Sequence, residues 1–244
     1  MTRDHLSSEQ ARARRYYDRF SATYERHRHE GYHQLIDTLE VELAQDYCHG
    51  RVLEAGCGTG LILRRLAVGA RQAVGIDLSS NMLGWARNRG LAVSQASVDA
   101  LPFADAHFDA VVSFKVLAHV EPITQALHEL ARVTRAGGHL VLEFYNRHSL
   151  RHLIKRLRPT PHADSALRER DVFTRWDTLD DIRGYLPADV DLVAVHGVRV
   201  LTPIPAVHDI PLLRDAFASA ERAAAAAPLL RGLGGFLVVV LRKR

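Results

Sequence analysis

From Tyr32 to Leu43 the apolar residues Leu35, Ile36, Leu39 and Leu43 recur at i, i+1, i+4 and i+8, which predicts an amphipathic helix. Arg51 to Ala55 is then a short apolar run that breaks into Gly56-Cys57-Gly58-Thr59-Gly60, and Leu61 to Ala67 resumes with helical character. This is strand, glycine turn, helix. The alternation continues with Ala73 to Asp77 as a second strand and a helix capped by Ser79 or Ser80 that runs to Arg89 and stops at Gly90. Ala92 to Ser97 and Phe108 to Phe114 predict a third and a fourth strand. Pro122 opens a helix with Ile123, Leu127, Leu130 and Val133 at helical spacing, expected to end at Gly137-Gly138 before a fifth strand from His139 to Tyr145.

Beyond Asn146 the rhythm changes. A basic segment, Arg147 to His162, precedes a predicted helix at Asp177 to Tyr185, a strand near Leu192 to Val200, an irregular proline-rich stretch, an alanine-rich helix around Leu212 to Ala227 and a last strand at Phe236 to Leu241. Strand and helix alternating at this spacing imply an α/β fold, a mostly parallel sheet with helices on both faces. The chain reads as one domain, residues 1–244: a helical leader or lid over 1–45, a ligand-binding core over 46–146, and a C-terminal part over 147–244 with cap insertions near 147–176 and 203–233.

Composition narrows the function. The net charge of +4 is spread through the chain rather than gathered in a Lys/Arg tail, so nucleic acid is a poor default partner. Met1 to Glu30 lacks the apolar core of a signal peptide, and the two cysteines, Cys48 and Cys57, fit a reducing cytoplasm. Two thiols also fall short of the three with which radical enzymes hold an iron-sulfur cluster. No apolar run reaches the ~18 residues a membrane span needs; the most apolar stretch, Phe236 to Leu241, has strand length.

The chemistry gathers at the predicted strand ends. In Glu54-Ala55-Gly56-Cys57-Gly58-Thr59-Gly60 the glycines let backbone approach a ligand, and the Gly-x-Gly-x-Gly spacing departs from the Gly-x-Gly-x-x-Gly of nicotinamide and flavin enzymes. Asp77, at the end of the second strand, is placed to accept ribose hydroxyls, and Asp99, after the third, to meet the amine of an adenine. Three such sites at adjacent strand ends lie along one crevice.

These residues resemble the class I S-adenosylmethionine-dependent methyltransferases, in particular the ubiquinone/menaquinone-biosynthesis-like branch. The resemblance rests on that glycine segment, on Asp77-Leu78-Ser79-Ser80-Asn81-Met82-Leu83, on Asp99-Ala100-Leu101-Pro102-Phe103, on Phe108-Asp109-Ala110-Val111-Val112 and on Arg132-Val133-Thr134-Arg135-Ala136-Gly137-Gly138, and it covers roughly Tyr16 to Phe144. It implies a Rossmann-like, doubly wound sheet of seven strands and S-adenosylmethionine as cofactor, with S-adenosylhomocysteine as product and no metal. Gly56, Cys57, Gly58 and Gly60 would meet the methionine and ribose, with Glu54 ordering the loop. Asp77 would bind the ribose, Leu78 and Met82 would flank the adenine, and Asp99 with Ala100 would recognise its edge. Lys115 would lie near the methionyl carboxylate or the sulfonium, while Tyr16, Tyr17 and Tyr24 occupy a leader that in such enzymes folds over the cofactor. Ser113-Phe114-Lys115-Val116 stands where methyltransferases of DNA or glutamine amino groups carry Asn/Asp-Pro-Pro-Tyr, which argues against that chemistry.

The expected partner is therefore a small-molecule methyl acceptor, and the candidates near it are few. His119 is the leading base, Tyr145 and Asn146 would line the acceptor pocket, and Glu143 would orient it. The competing reading for His119 is a structural, hydrogen-bonded histidine. Fourteen histidines raise the question of metal, yet His148 and His152, and His5, His27, His29 and His33 in the leader, are interleaved with arginines and predict solvated faces. Trp85 reads as core, and Trp176 as a candidate for the acceptor pocket. Leu150, Leu153, Ile154 and Leu157, with Arg147, Arg151, Lys155, Arg156 and Arg158 opposite, predict a basic amphipathic helix that closes over the acceptor or rests on a membrane surface through 147–158. A reading from another class is an inactive S-adenosylmethionine-binding protein with a regulatory or scaffolding role.

Overall fold

The computed structural model describes residues 6–24, 31–157, 172–201, 211–228 and 230–244. Arg158, the leader histidines His5, His27 and His29, and the part of the 203–233 cap before residue 211 lie outside them. The strands β1 (Arg51–Ala55), β2 (Gln72–Asp77), β3 (Ala92–Gln95), β4 (Phe108–Ser113) and β5 (Thr134–Tyr145) pair in parallel. An antiparallel strand, β7 (Phe236–Lys243), joins β5 to β6 (Val190–Val198) at the sheet edge. The order is β3-β2-β1-β4-β5-β7-β6, seven strands, mostly parallel and Rossmann-like. It reverses direction between β1 and β4, and such a switch point opens a crevice at the strands' C-terminal ends.

The central strands carry continuous apolar runs because both faces are covered. Side chains alternate between the two sides: Leu53, Val111, Leu140 and Leu142 join one buried cluster, while Val52, Ala110, Val112 and Val141 join the other. The first cluster includes Leu127 and Leu130 of α5 (Ile123–Val133) and Ile182 of α7 (Leu179–Tyr185); the second includes Ile36 and Leu39 of α2 (Gly31–Ala44) and Ile62 of α3 (Leu61–Leu66). The predicted cap of α4 (Ser80–Asn88) is found at Ser79, whose side chain accepts from the Met82 N–H at 3.2 Å. Thr178 and Asp181 cap α7 reciprocally.

One boundary departs from the pattern. Helix α5 stops at Val133 and β5 begins at Thr134, so Gly137-Gly138 lies inside a strand rather than ending a helix. The pairing with β4 shifts register between Phe108 and Ala110, and Gly137, at φ 74°, takes the left-handed conformation that such a bulge requires. Three further helices complete the chain: α1 (Ser8–Tyr24), α6 (Leu150–Leu157) and α8 (Pro211–Ala226). Among the described residues no helix is long and apolar enough to cross a membrane.

Candidate active site

The turn after β1 carries three glycines with positive φ, 82° at Gly56, 52° at Gly58 and 82° at Gly60, for two different reasons. A Cβ at Gly56 would run into Val116, and one at Gly60 into Leu91 and Ala86, so packing of the fold demands both. A Cβ at Gly58 would meet nothing within 4 Å, because space opens there onto a cavity of about 880 Å³. Asp77 fixes this turn: one carboxylate oxygen accepts from the Gly58 N–H at 2.9 Å and the other from the Ser79 N–H at 2.8 Å. Burial raises the Asp77 pKa, and these two N–H groups pull it back.

Helix α1 closes over this end. Gln10 donates to both oxygens of Asp99 at 2.9 and 3.0 Å, and Asp18 accepts from the Ser79 hydroxyl at 2.6 Å. Tyr16, Tyr17, Phe20 and Tyr24 line the cavity from the same helix face. Tyr17 lies where the two ends of the cavity meet, its ring 6.2 Å from that of His119. Burial raises its hydroxyl pKa, with smaller contributions from Tyr145, Tyr16 and Asp77.

Beside the glycine turn lies a cluster of buried acids around one cation. Lys115, held at φ 60°, places its ammonium 2.8 Å from Asp37 and 2.6 Å from Glu40, and its N–H donates to Glu143 at 3.1 Å. Burial pushes the carboxyls of Glu143 and Glu54 well above the usual range, and the charge of Glu40 raises both further. Glu54 lines the cavity, and its buried Oε2 has no hydrogen-bond partner among the described residues. An orphaned carboxyl oxygen in the same cavity as the open face of Gly58 fits the ammonium of the methionyl end of S-adenosylmethionine.

The other end of the cavity is built at the ends of β4, β5, β6 and β7. His119 closes a single helical turn after β4, and its Nδ1 lies 2.9 Å from the Phe173 carbonyl oxygen. A carbonyl only accepts, so Nδ1 carries the proton in the neutral ring and the Nε2 lone pair is left facing the Tyr145 hydroxyl at 3.5 Å. The Tyr145 ring packs against Trp176 and Phe236, with centroids 5.3 and 5.2 Å away.

The sequence-derived residues Tyr24, Glu54, Gly56, Cys57, Gly58, Asp77, Leu78, Met82, Asp99 and Lys115 line this one cavity together with His119 and Tyr145. Gly60 and Ala100 are not among its lining residues: Gly60 serves the packing of α3 against α4, and Ala100 is exposed. The carboxylate of Asp99 is taken up by Gln10 and Ser97 in this state, and the Lys115 ammonium turns toward α2. Asn146 is spent on the turn before β7, donating to the Gly232 and Gly234 carbonyls at 2.8 Å. Trp176 backs Tyr145 rather than bordering the cavity. Trp85 is 41% exposed, so it is no core residue. On α6 Leu150 and Leu153 are 49% and 52% exposed, which departs from a lid with its apolar side toward the acceptor, while Arg151 lines the cavity. The aromatic cluster at the end of β5 draws the guanidinium over its rings.

Sequence reasoning missed Gln10, Tyr32, Arg151 as an inward residue, Arg199 and Phe236, all of which line the cavity. For α1 a signal existed in the i, i+1, i+4, i+8 spacing of Tyr16, Tyr17, Phe20 and Tyr24. Arg199 follows the edge strand β6 and Phe236 opens its neighbour β7, where no local pattern marks them.

A switch-point crevice holding a ligand-facing glycine, an anchored carboxylate at the end of β2 and a covering N-terminal helix defines the class: a class I, S-adenosylmethionine-dependent methyltransferase fold. Residues 53–142 match the family described as a methyltransferase domain. It is 39% identical over 103 residues to a malonyl-acyl-carrier-protein O-methyltransferase of Erwinia pyrifoliae, covering 41% of this chain and 39% of that one. It is 36% identical over 104 residues to a ubiquinone biosynthesis O-methyltransferase of Alkalilimnicola ehrlichii, covering 40% and 42%. The match thus spans about two fifths of the length of these relatives. Over the whole fold, a solved (4+2) cyclase is similar at TM-score 0.67 and 23% identity, covering 98% of this chain and 97% of that one.

Proposed function

We propose that this chain transfers a methyl group from S-adenosylmethionine to an oxygen, nitrogen or carbon atom of a small or medium-sized molecule with a lipophilic face. The observation that carries this reading is the continuity of one cavity from Gly58 and Asp77 to His119 and Tyr145. When bound, the cofactor supplies a methyl group already activated by its sulfonium. The protein's tasks are then alignment, exclusion of water and, where the acceptor holds a proton, a base. Gly56, Gly58, Asp77, Leu78 and Met82 would hold the cofactor, and α1 would cover it. His119, with its tautomer set by the Phe173 carbonyl, would take the acceptor proton at Nε2, and Tyr145 would orient the acceptor through its hydroxyl.

The likeness to a cyclase means that fold by itself leaves the reaction open. The reading therefore rests on the site. An inactive cofactor-binding role is disfavoured by the intact glycine, the anchored Asp77 and a histidine with a directed lone pair. Arg151 turned inward also makes α6 a wall of the acceptor end, in preference to a membrane contact through 147–158.

Thermal shift with S-adenosylmethionine, S-adenosylhomocysteine and NAD separates the classes, since a ligand that binds only the native state raises the melting temperature. Stabilisation by NAD alone sinks the reading. A labelled methyl donor offered with phenol, quinol, amine and carboxylate acceptors then identifies the accepting atom, and binding without any transfer would favour the scaffolding role.

A further inference from the structure

One short stretch, residues 172–177, runs along the acceptor end and is bonded on one side to the turn of His119 and on the other to the strand end of Tyr145. At His119 two acceptors converge on Nδ1. The Phe173 carbonyl oxygen lies 2.9 Å from it, and the Thr174 hydroxyl, whose hydrogen goes to the Val172 carbonyl at 3.3 Å, turns its oxygen to Nδ1 at 3.3 Å. Just beyond, the Arg175 N–H donates at 2.8 Å to the carbonyl of Ala118, the residue before His119. At Tyr145 the Asp177 N–H donates to the Tyr145 carbonyl at 2.8 Å, and the Asp177 carbonyl accepts from the Arg147 N–H at 3.0 Å. Asp177 therefore lies beside Asn146 as a parallel extension of the sheet. The helical turn that carries His119 is thus anchored by Arg175, the end of β5 by Asp177, and only Trp176 separates the two anchors.

The side chains of the two anchors form a buried ion pair. The Arg175 Nε–H is shared between the Asp177 carboxylate oxygens at 3.1 and 3.2 Å, and the two side chains are 14% and 2% exposed. Burial raises the Asp177 pKa, and the charge of Arg175 opposes the rise. Helix α7 backs the pair: the Tyr185 hydroxyl donates to Asp177 at 3.4 Å, and the Arg175 guanidinium lies 4.6 Å over the Tyr185 ring. Neither Arg175 nor Asp177 lines the cavity, so any effect on an acceptor passes through other residues. We propose that Arg175 and Asp177 are positioning residues of the acceptor site, whose pair holds the Phe173 carbonyl against Nδ1 of His119 and so aims Nε2 at the Tyr145 hydroxyl. Stability alone is a weak reason for such a pair, since apolar residues of like volume would serve as well. A charged hydrogen bond does fix direction, because it is short and strong only in a narrow geometry. The hydrogen bond made by one imidazole nitrogen sets the form of the other, so a displaced carbonyl returns the ring to a mixture of tautomers. Only the tautomer with its proton on Nδ1 offers the Nε2 lone pair to the proton of an acceptor.

The word acceptor rests on the methyl-transfer reading, and the test reads the imidazole directly so that the two can fail separately. The full chain with isotopically labelled histidine nitrogens is compared by NMR with the double variant Arg175→Met/Asp177→Asn, which removes both charges and leaves neither buried alone. The His119 signals are assigned by their absence from His119→Gln. In the neutral ring, wild type is expected to carry its proton on Nδ1, and the double variant to show both tautomers. Arg175→Lys, which keeps a cation beside Asp177, should restore much of the wild-type pattern, and S-adenosylhomocysteine affinity should be the same in all of these proteins. Transfer of a labelled methyl group to whichever of the phenol, quinol, amine and carboxylate probes wild type methylates should fall about tenfold or more in kcat in the double variant, with KM for S-adenosylmethionine unmoved. A proton on Nε2 in wild type, or one tautomer common to wild type and the double variant, overturns the proposal. A lower melting temperature with tautomer and kcat both unchanged overturns it as well and makes the pair a structural clamp. So does a shifted tautomer with undiminished kcat, since the form of the ring would then not matter to the reaction. A shifted tautomer in a protein that methylates none of the probes would sink the methyl-transfer reading and leave the positioning of His119 standing.

Discussion

The two ends of the cavity are made in different ways. The cofactor end is backbone-defined: a glycine turn, two N–H groups closing on Asp77 and a serine cap, all within residues 54–82 and all set by local geometry. The acceptor end is side-chain-defined, assembled from Tyr32, His119, Tyr145, Arg151, Phe173, Arg199 and Phe236, which only the order of β4, β5, β7 and β6 brings together. A backbone cradle suits a ligand common to a whole family. A mosaic of separate side chains can change its ligand without disturbing the cradle.

That contrast is broken most strongly at Gly58. Gly58→Val places a branched side chain, at an unfavourable φ, into the space the ligand needs, and should abolish S-adenosylhomocysteine binding in folded protein. Asp77→Ala should do the same by freeing the turn and removing the proposed ribose acceptor. Calorimetric affinity close to wild type in both would refute the cradle. Next comes the cation between the halves. Lys115→Met leaves Asp37 and Glu40 buried without their partner and should cost about 3–5 kcal/mol of stability by urea denaturation. A loss below about 1 kcal/mol would show that the acids are neutral without it.

At the acceptor end, His119→Ala should lower kcat by about a hundredfold or more while S-adenosylhomocysteine affinity holds, as expected for a group acting only on the acceptor. An unchanged rate would make the histidine a strut for Phe173. The smallest effect is one of pH. Glu143 and Glu54 keep their protons in the native state above about pH 4.3, where the unfolded chain has lost them, so the native state binds more protons. Stability should therefore fall as pH rises from about 4.3 through the raised values and level off above them. Glu143→Gln, which keeps the hydrogen bonds without the titration, should lose less stability than wild type as pH rises above about 4.3. Parallel melting curves for the two proteins would rule out a retained proton on Glu143.

The same contrast explains what could be read from the chain. Strands β1, β4 and β7 are legible because burial on both faces forces short, mostly apolar runs, and the glycine turn is legible because its chemistry is contained in five consecutive residues. The end of α5 was misjudged because glycines that usually stop helices here relieve a bulge inside β5, a condition imposed by the partner strand β4. The inward place of Arg151 on α6 was not legible because the hydrophobic pattern assumes an aliphatic partner surface, and the surface Arg151 meets is a cluster of rings that accepts a cation.

By itself, then, the sequence determined the layered α/β plan, the switch-point crevice and the glycine turn, since all three follow from periodicity and backbone rules that act over a few neighbouring residues. The tertiary structure alone decided which side of α6 faces inward, that Lys115 turns to α2, and that Arg151 and Arg199 share a wall with Tyr145. Apart from Arg151 over Tyr145, six positions away, those outcomes depend on contacts between residues tens of positions apart, and a pairing of that range is set by the sheet order, which no local pattern encodes.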